Sequence, residues 1–256
     1  MTPGAMSVHG ENRLLARLPA DVASRLRRDM TTVALRRGDV LVSRATPLEY
    51  VYFPCGGACA AVTAMRDGRM VELAVVGSEG LIGLEAIVGG RTAIEDVLVQ
   101  IATPAARRMA VPTFQRHLQD LPVFRDLMVR YAMAQIAAIM QSTGCNALHP
   151  VDQRLARWLL ATHDRVDSDT FALTQDQLAI TLGVRRPTVS LAAGILQKAG
   201  MISYHRGTVR ILHRDQLEDA ACECYGAVRE TFSRLNVPLA RERADPSLGY
   251  ASARRE

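Results

Sequence analysis

The chain has 256 residues, 48% hydrophobic and 22% charged, with a formal net charge of +5. That length and composition fit one large globular domain or two small ones, and they exclude a largely disordered chain. No apolar run reaches the roughly 18 residues of a membrane span, and the opening MTPGAMSVHG lacks the basic and apolar regions of a signal peptide. The expected location is therefore cytoplasmic.

The predicted elements change character along the chain. Residues 1–10 and 239–256 read as disordered tails. Leu14, Leu15, Leu18, Val22 and Leu26 share one face of a helical lead-in that Pro19 and Asp21 break in two. Residues 31–112 are short β-branched and aromatic runs separated by turn signals, with Asp67-Gly68 marking a hairpin. This pattern predicts an antiparallel β-barrel or jelly roll over 11–112. Within it, 77-GSEGLIGLEAIVGG-90 reads as a turn, a short helix and a second turn.

Helix signals follow at Thr113 and Pro122, and 113–147 reads as a long helical segment. Phe124, Leu127/Met128, Tyr131, Gln135, Ile139 and Ser142 form a seam of 3,4 spacing. It fits either packing on the chain's own β domain or a dimer coiled coil. Residues 148–238 then give a helix over 151–163, a polar loop DRVDSDT, two short helices, two short strands around Arg206-Gly207 and a last helix.

The two short helices carry the clearest chemistry. Thr174 with Gln177 forms a capping box, Gly183 is a left-handed stop signal, and Pro187 is tolerated in the first turn of a helix that begins near Arg185–Arg186. Helix, glycine turn, helix and two strands make a winged helix-turn-helix. Charge agrees. Residues 31–112 carry eight Arg against eight Asp/Glu, whereas 173–211 carry Arg185, Arg186, Lys198, Arg206 and Arg210 against Asp176 alone. Arg186, Pro187, Thr188, Ser190 and Leu191 occupy the early turns, where base edges are met. Thr174, Arg185, Lys198, His205 and Arg206 complete the expected interface, the basic members being suited to phosphates.

This order of elements resembles the Crp/Fnr superfamily of bacterial transcription regulators over about residues 12–236, most strongly in 173-LTQDQLAITLGVRRPTVSLAAGILQKAGMIS-203. The resemblance implies an α+β chain with a cyclic-nucleotide-binding-like sensor domain, a long dimerisation helix and a C-terminal winged helix. It also implies a homodimer on double-stranded promoter DNA, with recognition helices about 34 Å apart, and RNA polymerase as a partner. 80-GLIGLEAIVGGRTA-93 is similar to the family's phosphate-binding cassette, matching at Gly80, Gly83, Arg91, Thr92 and Ala93. Leu81 stands where the cassette has a ribose-gripping glutamate, and Ile139 and Met140 stand where a polar pair meets the base. A cyclic nucleotide is the cofactor the resemblance suggests, and those departures predict a cassette that no longer binds cyclic AMP; Glu79, Glu85, Glu95 or Asp96 could pair with Arg91 instead. In the reading helix the cyclic-AMP-responsive members have Arg-Glu-Thr-Val-Gly-Arg; this chain has Arg186-Pro187-Thr188-Val189-Ser190-Leu191, so another target sequence is expected.

Five cysteines (Cys55, Cys59, Cys145, Cys222, Cys224) at irregular spacing are no disulfide framework. Cys222 and Cys224 look too close for a tetrahedral zinc site, no metal ligand set is read, and His117 and His149 read as surface residues. A ligand-binding signalling module without DNA activity is the alternative function; it has no need of the helix-turn-helix. Nucleophile elbow, Walker loop and HExxH are missing from the sequence, so no enzyme is expected.

Overall fold

The computed structural model describes residues 10–166, 168–237 and 239, so the two expected tails lie outside it apart from Gly10 and Leu239. A 3₁₀ turn at Leu15–Arg17 leads to α1 (Ala20–Arg28), with Pro19 at its N-cap. Proline fits there because the first amides of a helix have no intrahelical acceptor.

Seven strands follow: β1 (Thr31–Leu35), β2 (Val40–Val42), β3 (Tyr50–Pro54), β4 (Ala58–Ala64), β5 (Met70–Val76), β6 (Asp96–Ile101) and β7 (Thr103–Ala110). They form two antiparallel sheets, in orders β1-β7-β3 and β2-β6-β4-β5. The domain is thus a two-sheet jelly-roll arrangement rather than a closed barrel. The chain changes sheet between the consecutive strands β6 and β7, at Ala102. The β4–β5 hairpin closes at Asp67-Gly68 as expected, with Gly68 at φ +83°. The glycine-rich insertion holds a 3₁₀ turn at Leu84–Val88.

The helical segment is two helices, α2 (Val111–Asp120) and α3 (Pro122–Leu148). Leu121 breaks them at φ −124°, ψ 87°, because a residue before proline is driven out of the helical region. The sequence seam resolves in its first half. Phe124, Leu127, Met128, Tyr131 and Gln135 are buried, and the apolar members join Phe53, Phe114, Leu81 and Met109 in the core of the β domain. A different stripe faces solvent: Val129, Met133, Ile136, Met140, Thr143 and Ala147, at 4,3,4,3,4 spacing.

The remaining elements are α4 (Val151–His163), β8 (Thr170–Ala172), α5 (Gln175–Leu182), α6 (Arg186–Lys198), β9 (Ile202–His205), β10 (Thr208–Ile211), α7 (Arg214–Ala220) and α8 (Cys224–Arg234). They enclose a second core of Leu155, Trp158, Leu178, Val189, Leu196 and Val209. α8 returns to the first domain, placing Phe232 and the following Val237 in its core. Among the described residues no helix is long and apolar enough to cross a membrane.

Two carboxylates, the buried Glu79 and the half-buried Glu72, tie the domains together. Glu79 is 0% exposed and accepts from Arg165 Nε at 2.7 Å and from the Gly77 amide at 3.1 Å, with Arg13 at 3.7 Å. Glu72 on β5 accepts from Trp158 Nε1 (2.7 Å), Gln100 Nε2 (2.8 Å) and Thr181 Oγ1 (3.0 Å). Desolvation pushes the Glu72 carboxyl up, and those three donors oppose the shift.

Candidate nucleic-acid interface

α5 begins at Thr174. Its side chain accepts from the Gln177 amide at 3.2 Å, and Gln177 accepts from the Thr174 amide at 3.0 Å, completing the capping box. α5 ends at Gly183, in the left-handed conformation at φ +62°, where a side chain would be strained. α6 starts at Arg186 with Pro187 in its first turn, as the sequence predicts. Arg185 is its N-cap and gives no side-chain cap, since a guanidinium cannot accept. Val189, Ala192, Ala193 and Leu196 turn inward.

The opposite face of α6 is open. Arg185, Arg186, Pro187, Ser190 and Lys198 are exposed, Thr188 is half-buried, and Leu191 is 72% exposed. Arg186 is lightly held by Gln175 Oε1 at 3.1 Å and Asp176 at 3.8 Å, both at the start of α5. Ser190 donates to the Arg186 carbonyl at 3.2 Å. The wing stands beside this face. His205 and Arg206 are exposed at its turn, where Arg206 (φ +47°) and Gly207 (φ +75°) both take left-handed backbone. Tyr204 fixes the wing by donating its hydroxyl to the Leu173 carbonyl at 3.0 Å. Thr174, Gln175, Asp176, Arg186, Ser190 and Arg206 line a common open cleft of about 460 Å³. Every expected DNA-facing residue thus lies at the N-cap of α5, at the N-cap of α6 or within it, or on the wing.

One wing strand has no counterpart in the sequence reading. β8 pairs with β10 and makes the wing a three-stranded sheet. It is three residues long and begins at the last residue of the polar DRVDSDT segment, so no run of alternation announces it.

The cassette-like segment has a different character. Leu81 is 0% exposed in the β-domain core. Tyr131 of α3 lies so close to Gly80 that a Cβ there would come within 2.0 Å of its hydroxyl. That hydroxyl accepts from Gln135 Nε2 at 2.8 Å and donates to the Leu81 carbonyl at 3.3 Å. Gly83 takes φ +95° before the 3₁₀ turn. Arg91 and Thr92 are exposed, and their backbones pair with Leu48 and Pro47. None of the four carboxylates expected as Arg91 partners takes that role. Glu79 binds Arg165, Glu85 accepts the Ile94 amide at 2.8 Å, Asp96 accepts the Arg44 amide at 2.9 Å, and Glu95 forms no ion pair among the described residues. Burial, then the neighbouring Glu85 and Asp96, push Glu95 up to about 7. Ile139 is half-buried, and Met140 is 69% exposed on the outer stripe of α3. At the positions that resemble the cassette's ribose and base contacts, Leu81, Ile139 and Met140 do not fit a cyclic nucleotide, because their side chains offer a hydroxyl or a purine edge no hydrogen bond.

The histidine and cysteine expectations are also revised. His117 is buried, with Nε2 2.8 Å from Asp29, rather than on the surface. His149 is half-buried beside three buried thiols, Cys145, Cys222 and Cys224, which the fold brings together from α3 and the α7–α8 junction.

Residues 153–220 match the family model of the Crp-like helix-turn-helix domain. No curated sequence is significantly similar to the chain. Among solved structures, FixK2 of Bradyrhizobium japonicum aligns at 20% identity and TM-score 0.58, covering 75% of this chain and 98% of its own. TTHB099 of Thermus thermophilus, a transcriptional regulator of the Crp family, aligns at 20% identity and TM-score 0.61, over 75% and 96%. CLP of Xanthomonas campestris, a c-di-GMP responsive global regulator, aligns at 15% identity and TM-score 0.60, over 75% and 99%. Residues 153–220 are therefore similar to the Crp-like helix-turn-helix domain, and the chain shares the fold of these three regulator structures.

Proposed function

We propose that this Crp/Fnr-type DNA-binding transcription regulator acts as a homodimer on a palindromic promoter site, one α6 per half-site in successive major grooves. The observation that carries the reading is the open face of α6: Arg186, Ser190 and Leu191 project to solvent from its first two turns, flanked by a basic wing. Arg186 reads a base edge, since a guanidinium can pair bidentately with guanine. Arg185, Lys198, His205 and Arg206 contact phosphates. Pro187 and Leu191 contribute shape and apolar contact only, so the target differs from one read by an acidic residue and two arginines. The exposed stripe Val129-Met133-Ile136-Met140 supports the two-fold contact, because its spacing is that of a coiled-coil seam. RNA polymerase is the downstream partner of such a regulator, and the chain works by binding, without catalysis. An effector, if the sensor domain takes one, is recognised by chemistry other than ribose and purine contacts. Fluorescence anisotropy on a site selected from random DNA tests the reading. Specific binding that weakens in Arg186→Ala supports it, and no sequence preference in the native protein refutes it.

A further inference from the structure

We propose that Cys145, His149, Cys222 and Cys224 form a Cys₃His site for a single zinc ion at the hinge between α3 and the DNA-binding domain. The four donor atoms lie within 4.8 Å of one another. Cys145 lies one turn before His149, the C-cap of α3, so the two share a face. Cys222 and Cys224 flank Glu223 at the start of α8, and their thiols reach the same point. Cys145 Sγ is 3.5 Å from Cys222 Sγ, and Cys224 Sγ is 3.6 Å from His149 Nδ1. Zinc bonds of about 2.3 Å to sulfur and 2.0–2.1 Å to nitrogen give tetrahedral ligand–ligand edges of roughly 3.5–3.8 Å. These two pairs already stand at that spacing.

The surroundings are those of a metal site. His149 Nε2 lies 3.1 Å from Glu223 Oε1. A carboxylate there holds the ring proton on Nε2 and leaves the Nδ1 lone pair facing the thiols, the outer partner that metal-bound histidines use. Gln141 Nε2 donates to Cys224 Sγ at 3.0 Å, a bond suited to a thiolate. Three thiolates and Zn²⁺ leave one net negative charge, beside Arg154 and Arg157, whose buried Nε atoms have no hydrogen-bond partner. The three cysteines are at most 5% exposed and form a cluster of their own. Burial pushes the Cys222 thiol up to about 12 and Cys145 upward too. Zinc binds cysteine as the thiolate, so Zn²⁺ displaces the proton of each protonated thiol it takes as a ligand.

The site joins two parts of the mechanism. α3 ends at Leu148 and α4 begins at Val151, so the metal would pin α8 to the corner through which the two domains are linked. Arg154, next to the thiols, also donates to the Leu182 carbonyl at the end of α5. Occupancy would thereby bias the placement of the helix-turn-helix.

The test is metal analysis of the full-length protein, reconstituted with zinc under reducing conditions and dialysed. About one zinc per protomer is expected, and cobalt should give the charge-transfer and d–d absorption of a tetrahedral thiolate site. Cys222→Ser and His149→Ala should lose or alter that spectrum, while Cys55→Ser should not. Glu223→Gln, at a side chain 77% exposed, should weaken zinc affinity about 10- to 100-fold in chelator competition. Substoichiometric zinc, a Cys222→Ser protein that binds cobalt identically, or iron with acid-labile sulfide instead of zinc would overturn the proposal. So would a Cys145–Cys222 disulfide in the protein as purified.

Discussion

Replacing Glu79 by Gln removes a buried charge but keeps an acceptor for the Gly77 amide. Glu79 is 0% exposed and Arg165 is 5% exposed, so the substitution strands a guanidinium away from water. Breaking one side of such a pair costs about 3–5 kcal/mol, because the remaining charge has no compensation. Arg165 keeps the Ala161 carbonyl at 2.6 Å, which places the expected loss near the lower end, about 3 kcal/mol. For a chain of this length that is a fall in Tm of roughly 6–12 °C. The companion change is Arg165→Met, alone and with Glu79→Leu, because two apolar side chains leave no stranded charge. Calorimetry on the native protein, Glu79→Leu, Arg165→Met and the double variant gives the coupling. The double variant should be more stable than either single one. A Glu79→Gln shift below about 2 °C, or strictly additive losses in the double variant, would refute the claim that this ion pair joins the domains.

Three further outcomes follow from the structure. Thr174→Ala removes the capping box of α5 and should cost about 1 kcal/mol, read as a fall of roughly 2–4 °C in Tm; an unchanged Tm would mean the cap contributes nothing. Glu95, held at about 7, binds its proton more tightly folded than unfolded, so it lowers stability as pH rises from about 4.5 to about 7; Glu95→Gln should flatten that slope and raise stability at pH 8, and identical pH profiles would contradict this. Met133→Glu puts a charge in the proposed seam and should weaken self-association about 100-fold or more by analytical ultracentrifugation, with no loss of helical signal, whereas an undisturbed dimer would place the contact elsewhere.

Local signals carry much of this fold because they act within a few residues. Thr174 with Gln177, Gly183 and Pro187 each answer a backbone need of their own turn, and Asp67-Gly68 does the same for the hairpin. What escapes the sequence is long-range. On α3 both faces are apolar, and only the tertiary structure shows that Phe124 and Tyr131 serve the β domain while Met133 and Met140 face out. Glu79 reads in the sequence only as a possible partner of Arg91, and Glu72 carries no signal at all; their actual partners come from α4, α5 and the loop that follows α4. The thiol cluster is invisible when Cys222 and Cys224 are weighed as a pair. Their companions lie 77 and 75 residues away along the chain, a separation that spacing rules cannot bridge.

Under the proposed function, the first turns of α6 read DNA sequence and Arg186 does part of the reading. Its most direct measurement is the affinity of the native protein and Arg186→Ala for the selected site and for base-substituted versions, at one fixed salt concentration. Discrimination at one base pair of each half-site should fall by about 1–3 kcal/mol, roughly 5- to 150-fold, in the variant. Equal affinity and equal discrimination by the two proteins would contradict the account.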